Sequence, residues 1–352
     1  MVHFHTPRLV AEAVACLKDD LSSSGLCGLR VEWILVDNGS EPEDQELFQN
    51  LGLNRLDPGG NTGYGGGVNR GVAASTAPWL VVMNPDVLVL SGCLGALLAP
   101  LKAGTDVVGP RFYWDRELHL LLPPNEPRRR RWEIVASLGR RFPSTAGWAR
   151  RSWRRHVRRH WKAEGLFPSF ELSGALLAFS REAWGKVGPF DEAFPLYFEE
   201  TDWLHRLRRA GGSACYVNEA SAIHLYNRSA SQEPRAAAWL AQSRQRFQRS
   251  HYGSWFAALT GLVERGATDL SGGAATATDG ASLTLPGEEP LWIEISPTVM
   301  GFPAAAEQVD PRQQRIWTIP SAVRRDLSPG VCWVRVVTEG GGELEVHAVA
   351  LP

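Results

Sequence analysis

The sequence has few sulfurs, no long apolar run and no excess of either charge. Its 352 residues include three methionines and five cysteines, Cys16, Cys27, Cys93, Cys215 and Cys332. No C-x-x-C pair and no metal-ligand spacing occurs among them. An odd, scattered set excludes a disulfide framework and reads as buried free thiols in a reducing compartment. No apolar run approaches the ~18 residues of a membrane span, and there is no signal-peptide core. The sequons at 38–40 and 227–229 are therefore expected to be idle. With 37 Lys+Arg against 38 Asp+Glu, no global field draws the chain to nucleic acid, and no recognition module is visible. The expectation is a cytoplasmic protein whose electrostatic preferences are local.

What is present is an alternation of strand-like and helix-like segments. "VHFHT" (2–6) reads as a strand stub. Pro7 opens a helix whose Leu9, Val10, Ala13, Val14 and Leu17 share a face. "VEWILVD" (31–37), "APWLVVMNPDV" (77–87) and "DVVGP" (106–110) read as buried strands. The rhythm predicts an α/β fold with an open, mostly parallel sheet flanked by helices. Ligands of such sheets sit beyond the carboxyl ends of the strands, where "DNGS" and "NPD" fall. The expected organisation is an α/β domain over 1–231 interrupted by an Arg-rich insertion at 128–162. A helical extension follows (232–267), then a Gly/Ser/Thr/Ala linker (268–287) and a small antiparallel β domain (288–352). The "EGGGE" at 339–343 reads as a hairpin turn in that last domain.

Four stretches carry candidate chemistry. "GGNTGYGGGVNRG" (59–71) reads as a Gly-rich loop, with Asn61 and Asn69 offering side-chain hydrogen bonds where backbone can approach a ligand. It is not a dinucleotide fingerprint: Val68 stands where G-x-G-x-x-G needs glycine. "NPDV" (84–87) ends an apolar strand with Asp86, which is either a turn or one carboxylate on Mg²⁺ or Mn²⁺ alongside substrate phosphates. His224, after an apolar Ile223, is either structural or a partner of Asp86 on that ion. "PFDEAFPLYFEETDW" (189–203) sets five carboxylates among aromatics. On a helix Glu199 and Asp202 share a face, while Glu200 points elsewhere. Crowded carboxylates near aromatics raise one another's pKa, as a general base for a hydroxyl requires. Acids favouring a helix N-terminus explain one or two of the five.

Taken together, "VDNGS", "NTGYGGGVNRG", "NPDV", "LSGALLAFSREAWGKVGPFDEAFPLYFEETDWLHRLRRAG" and "AIHLYNRS" resemble glycosyltransferase family 2, in its rhamnosyltransferase-like branch, over roughly residues 2–255. The resemblance implies a GT-A fold and an inverting transfer of a sugar from a dTDP- or UDP-linked donor to a saccharide or lipid-linked glycan. That would place the chain in cell-envelope polysaccharide synthesis at the inner face of the membrane. It further implies that Asp37 bonds the nucleotide base with Thr6 beside it, and that Asn61, Gly63 and Asn69 line the nucleotide pocket. Asp86 and His224 would hold the metal. Ser173, Gly174, Glu199 and Trp203 would shape the sugar and acceptor pockets. Glu200 stands where the family keeps an Asp as base, and Asp202 is the other candidate. The first strand is short, so residues that finish that edge of the pocket are expected to be missing.

Two regions stand outside these motifs. Over 128–162 thirteen positions are Arg or Lys, and Glu133 is the one acid. Within it Trp153, Val157 and Trp161 fall four apart. That spacing predicts a basic amphipathic helix, either solvated or in peripheral contact with a membrane through 148–161. In the tail, Trp292, Trp317 and Trp333 either stack on glycan or fill the core. A catalytically degraded scaffold on the same fold is the rival reading, distinguished by donor binding without turnover.

Overall fold

A computed structural model describes residues 1–23, 26, 28–41, 43–225, 235–265, 282–326 and 330–351. The chain divides into two compact units, Met1–Arg111 with Ala163–Ser254 and Phe112–Lys162 with Trp255–Pro352. Cys27, the sequon at 227–229 and most of the expected linker lie outside the described residues. Cys16, Cys93, Cys215 and Cys332 are free thiols.

The first unit opens with β1 (Val2–His3), α1 (Pro7–Ser23), β2 (Ile34–Asp37), α2 (Asp44–Asn50) and β3 (Asn54–Leu56). The three strands pair in parallel in the order β1-β2-β3. Helical crossovers make that possible, because parallel neighbours cannot be joined by a tight turn. α1 buries Val10, Ala13, Val14 and Leu17, and Val10 and Val14 pack with Leu35 of β2 and Phe48 of α2. Then come α3 (Gly63–Ala73), β4 (Trp79–Met83), β5 (Val87–Val89), α4 (Cys93–Lys102) and β6 (Val107–Tyr113). After the excursion of α5 (Arg130–Arg141) and α6 (Pro143–Trp161) into the second unit, the chain returns with β7 (Leu166–Pro168), β8 (Leu176–Ser180) and α7 (Arg181–Val187). α8 (Glu199–Arg209), β9 (Ala214–His224) and α9 (Ala236–Tyr252) complete this unit. The second sheet runs β4-β8-β6-β9-β5, with β7 also on β9. The pairs β4–β8, β6–β8, β5–β9 and β7–β9 are antiparallel.

The glycine run is a helix, not the loop its composition suggested. A side chain on Gly67 would put Cβ 2.7 Å from Val2 of β1, and one on Gly65 would stand 3.2 Å from Cγ of Glu199. The glycines let α3 lie directly against β1 and α8, a close approach that outweighs their poor helix propensity.

In the second unit, β11 (Leu291–Ser296), β12 (Ala305–Val309), β14 (Gly330–Thr338) and β15 (Glu343–Leu351) form an antiparallel sheet in the order β12-β11-β14-β15. β10 (Ser282–Thr284) pairs with β13 (Ile316–Thr318) inside the segment expected to start as linker, and α11 spans Ser321–Asp326. Strand alternation gives the sheet two occupied faces. Ile293, Ile295, Val334 and Val336 pack into one core with Trp317, while Trp292 and Val337 face Trp153, Val157 and Trp161 of α6. Trp161 stacks on Trp292 at 5.3 Å, and its indole N–H donates to the Leu122 carbonyl.

Two expectations are corrected here, and one alternative is decided. The tryptophan stripe of 148–161 is the packing face of α6 and is not available to lipid: Trp153 and Trp161 are buried. For Trp292, Trp317 and Trp333 the core alternative holds, since all three are buried. The Arg-rich segment is no insertion in the first domain, since it shares a core with the C-terminal sheet. Arg154 enters that core with a partner, donating to both carboxylate oxygens of Glu294 at 2.8–3.0 Å.

Candidate active site

Strand ends bring the polar motifs of the first unit together. Asp37 closes β2 and is buried. It accepts from the Ser40 hydroxyl at 2.6 Å and pairs with Arg55 of β3 at 2.6 Å. Burial works to raise its pKa, but Ser40 and Arg55 outweigh it and hold the carboxyl below its ordinary range. Asn38, which the sequence reading passed over, ties this strand end to the start of α3. It accepts from Thr62 N–H and hydroxyl and donates to the Gly63 carbonyl at 2.9 Å. Asn61 accepts from Gly63 N–H at 2.9 Å, and Gly63 takes φ +71°, the left-handed region that favours glycine. Thr6 is buried beside His3 at 3.2 Å.

Asp86 follows β4 and precedes β5. Because Val87 registers with His224 of β9 and Leu225 N–H donates to the Asp86 carbonyl, the imidazole is delivered to the carboxylate. His224 Nε2 lies 3.5 Å from Asp86 Oδ1. Two ligands of one octahedral Mg²⁺ or Mn²⁺ ion at ~2.1 Å stand about 3 Å apart, so this hard-oxygen and imidazole pair fits such an ion. Among the described residues no cluster of three or more His, Cys, Asp or Glu side chains is placed to hold a metal. The remaining ligands would have to come from substrate phosphates and water.

The carboxylates of 189–203 separate by role. Asp191 pairs with Arg246 of α9 at 2.7 Å, and Glu192 accepts from Asn69 at 2.9 Å. Asn69 also accepts from Phe190 N–H and donates to the Phe190 carbonyl, so it staples α3 to this segment. Asp202 is buried between Arg206 and His251, each at 2.7 Å. Burial would raise its pKa, yet the bonds from His251 and Arg206 prevail and lower it, which makes a poor proton acceptor. Trp203 is fully buried among Phe179, Trp184 and Phe190, and its indole donates to the Gly188 carbonyl at 2.9 Å. It builds the core, not an acceptor pocket.

Glu199 and Glu200 remain, at the first turn of α8. Tyr197 and Phe198 before them both take positive φ, +66° and +73°. Such conformations cost ~1–2 kcal/mol per residue and persist where the surroundings enforce them. Phe198 is locked in place against Phe247 of α9. Glu199 is 1% exposed, and its Oε1 has no hydrogen-bond partner. Burial, then the neighbouring Glu200 charge, push its pKa well above the usual carboxylate range. Glu200 is half-buried and lies so close to Gly174 that a Cβ there would stand 2.9 Å from its Cγ. Ser173 beside it accepts from Ala175 N–H.

Tyr64 joins these parts and was not singled out from the sequence. Its hydroxyl donates to the Gly174 carbonyl at 2.6 Å. Burial, then the charges of Glu200, Glu199 and Asp86, raise its pKa well above 10, so it stays a donor. An aromatic inside a glycine run was the available signal. A cavity of about 400 Å³ lies elsewhere, among Trp33, Ile34, Leu80, Val82, Leu97 and their neighbours. It includes none of Asp37, Asp86 and Glu200 and is not this site.

Over residues 1–158 the chain matches the family model described as glycosyl transferase family 2. It is 31% identical over 261 residues to N-acetylglucosaminyl-diphospho-decaprenol L-rhamnosyltransferase of Mycobacterium tuberculosis, covering 68% of this chain and 81% of that one. It is 25% identical over 198 residues to the low-salt glycan biosynthesis hexosyltransferase Agl10 of Haloferax volcanii, covering 55% and 58%. Among solved structures it is similar to mannosyltransferase PcManGT from Pyrobaculum calidifontis in complex with GDP-Man and Mn²⁺, with a TM-score of 0.46 at 13% identity over 76% and 71% of the two chains. With the motif order, the family model and a relative covered over four-fifths of its length in agreement, the chain belongs to glycosyltransferase family 2 and is a nucleotide-sugar-dependent glycosyltransferase.

Proposed function

We propose that the first unit carries an inverting transfer of rhamnose from a dTDP- or UDP-linked donor to a hydroxyl of a saccharide, with a lipid-linked glycan as the acceptor class. Glu200 is the base. The observation that carries this reading is that Glu200 packs against Gly174 while the Tyr64 hydroxyl donates to the Gly174 carbonyl, with the charges of Glu200 and Asp86 both acting on Tyr64. A half-buried carboxylate on the same polar cluster as Asp86 supports a base near a metal diphosphate. Glu200 takes the acceptor hydroxyl proton as the oxygen bonds the anomeric carbon. The bond from that carbon to the diphosphate breaks on the opposite face, and the configuration inverts. Asp86 and His224 would hold a divalent ion, which would supply charge neutralisation for the leaving diphosphate.

Burial raises the pKa of Glu199 well above the usual carboxylate range, which favours its protonated form beside Glu200. Tyr64 holds the 173–174 turn against Glu200. Asp37 is the acceptor for a pyrimidine N–H, with Arg55 fixing its carboxylate, while Asn61 and Gly63 border the nucleotide. No described helix is long and apolar enough to cross a membrane, so a lipid-linked acceptor would be met at a surface. The rhamnosyltransferase relative, named for a decaprenol-linked acceptor, supports the sugar and the acceptor class.

Turnover of a donor panel, dTDP-rhamnose and UDP-sugars with and without Mn²⁺, tests the proposal. One donor should turn over with metal, and Glu200→Gln should lower kcat by about 10²–10⁴-fold while leaving donor affinity near wild type. Full activity in Glu200→Gln would remove it as base. Donor binding without turnover in the wild type would favour the scaffold reading.

A further inference from the structure

The helix α10 (Ser254–Glu264) turns one entirely apolar face to solvent. Phe256, Ala257 and Thr260 are buried, whereas Trp255, Leu259 and Leu262 are 64%, 45% and 62% exposed. Steps of four and three residues put these three on one stripe, and Ala258 between them is exposed too. At the end of the helix Glu264 accepts from Ser137 at 2.7 Å and Arg140 at 3.0 Å, which ties α10 to α5. On α5, Arg131 and Ile134 are exposed before the tie, and the half-buried Arg141 follows it. The Arg141 guanidinium lies 4.9 Å from the ring of Phe142, itself 42% exposed. Arg265 is exposed just past the end of α10.

We propose that this face docks on an anionic lipid bilayer, with Trp255, Leu259 and Leu262 in the headgroup–acyl boundary and Arg131, Arg141 and Arg265 on lipid phosphates. A large apolar stripe left in water is unfavourable at ~25 cal/mol per Å², and contiguous patches of this kind mark interaction surfaces. The flanking charge decides the occupant. A second copy would meet this patch through the same patch, bringing arginines against arginines. A bilayer carrying anionic lipid satisfies both the stripe and its rim. The surface is distinct from the tryptophan stripe of α6, which is buried. It goes beyond the transfer reading, and gives that reading's lipid-linked acceptor a surface on which to be met.

The test is co-sedimentation of the full chain with vesicles of phosphatidylcholine alone or mixed with phosphatidylglycerol, without nucleotide or acceptor. The protein should sediment with the anionic vesicles and not with the neutral ones. Leu259→Glu and Leu262→Glu should each weaken that binding by about tenfold or more, and Arg131→Glu and Arg141→Glu by a smaller, salt-sensitive factor. Leu259, Leu262 and Arg131 are exposed and Arg141 is half-buried, and an unchanged circular dichroism melt confirms that the variants fold. The proposal is overturned if the wild type stays in the supernatant, or if Leu259→Glu sediments like wild type. It is equally overturned if ultracentrifugation finds a dimer that Leu259→Glu splits. Because neither donor nor acceptor is present, each of these outcomes leaves the transfer reading to its own assay.

Discussion

The acidic stretch at 189–203 and the basic stretch at 128–162 look like mirror images in the sequence, each a run of one charge laced with aromatics. The fold treats them differently. In the basic stretch the aromatics are the packing face, and the inward arginines find partners on the sheet. Arg154 is held by Glu294 and Glu343, Arg150 by Glu343, and Arg158 by the carbonyls of Thr338 and Glu339. In the acidic stretch Asp191, Glu192 and Asp202 are paired in the same manner, but Glu199 is buried without a cation. Charge among aromatics therefore signals burial with compensation. Chemistry is to be sought where the compensation stops, at Glu199, and at the half-buried Glu200 beside it.

The largest effect that could break this contrast lies in the basic stretch. Glu294→Ala would leave Arg154 buried without its main partner, beside Arg158 and Arg335. Removing one side of a buried pair costs about 3–5 kcal/mol. Urea unfolding followed by tryptophan emission should show the loss, because Trp153, Trp161 and Trp292 pack around this site. A change under about 1 kcal/mol would mean that water reaches the guanidinium and that the arginines of α6 are solvated after all.

The acidic stretch gives a smaller effect of opposite sign at two residues on one turn. Asp202 has a lowered pKa in the fold. Its contribution is therefore fully present above the unfolded carboxylate value near 3.8 and is lost as pH falls through the folded value. Asp202→Asn should destabilise the protein at neutral pH and flatten its response to acid. Glu199 has a raised pKa, so the fold favours its protonated form and loses stability as pH rises from the unfolded value near 4.5 through the folded one. Glu199→Gln should remove that loss, narrowing the gap in thermal midpoint between pH 4 and pH 8. Differential scanning calorimetry across that range reads both. Parallel slopes for the two variants would show that they share one environment.

Part of this was legible beforehand. "DNGS" and "NPD" each follow an apolar run, and polar residues after a buried strand fall at the crevice by topology alone, as Asp37 and Asp86 do. The order of the motifs carried the family. What stayed hidden depends on who faces whom across the fold. A glycine run reads as a loop until Val2 and Glu199 are seen against it, when it becomes a helix that needs bare backbone. Trp203, at the end of the acidic stretch, is implied by the resemblance to shape a sugar pocket until Phe179 and Trp184 are found around it. Tyr64 acquires a role only when Gly174, 110 residues away, supplies the carbonyl. Spacing reveals which residues share an element, but not what that element meets.

The smallest predicted effect is also the closest comparison, because it concerns two neighbouring arginines. Arg154 points into the sheet, while Arg155 is exposed on the outer face of α6 with Arg151. A period of 3.6 residues makes 154 and 158 inward and 151 and 155 outward, so the same residue type alternates between core and solvent within one turn. Arg155→Ala should change stability by no more than about 0.5 kcal/mol, the usual range for an exposed position on a helix, helped by the better propensity of alanine. Arg154→Ala should cost several times more, because it strands Glu294 without its bidentate partner. Chemical denaturation of the two variants side by side measures the ratio. If Arg155→Ala costs as much as Arg154→Ala, α6 is covered on both faces, and the division between its compensated inner charges and its solvated outer ones fails.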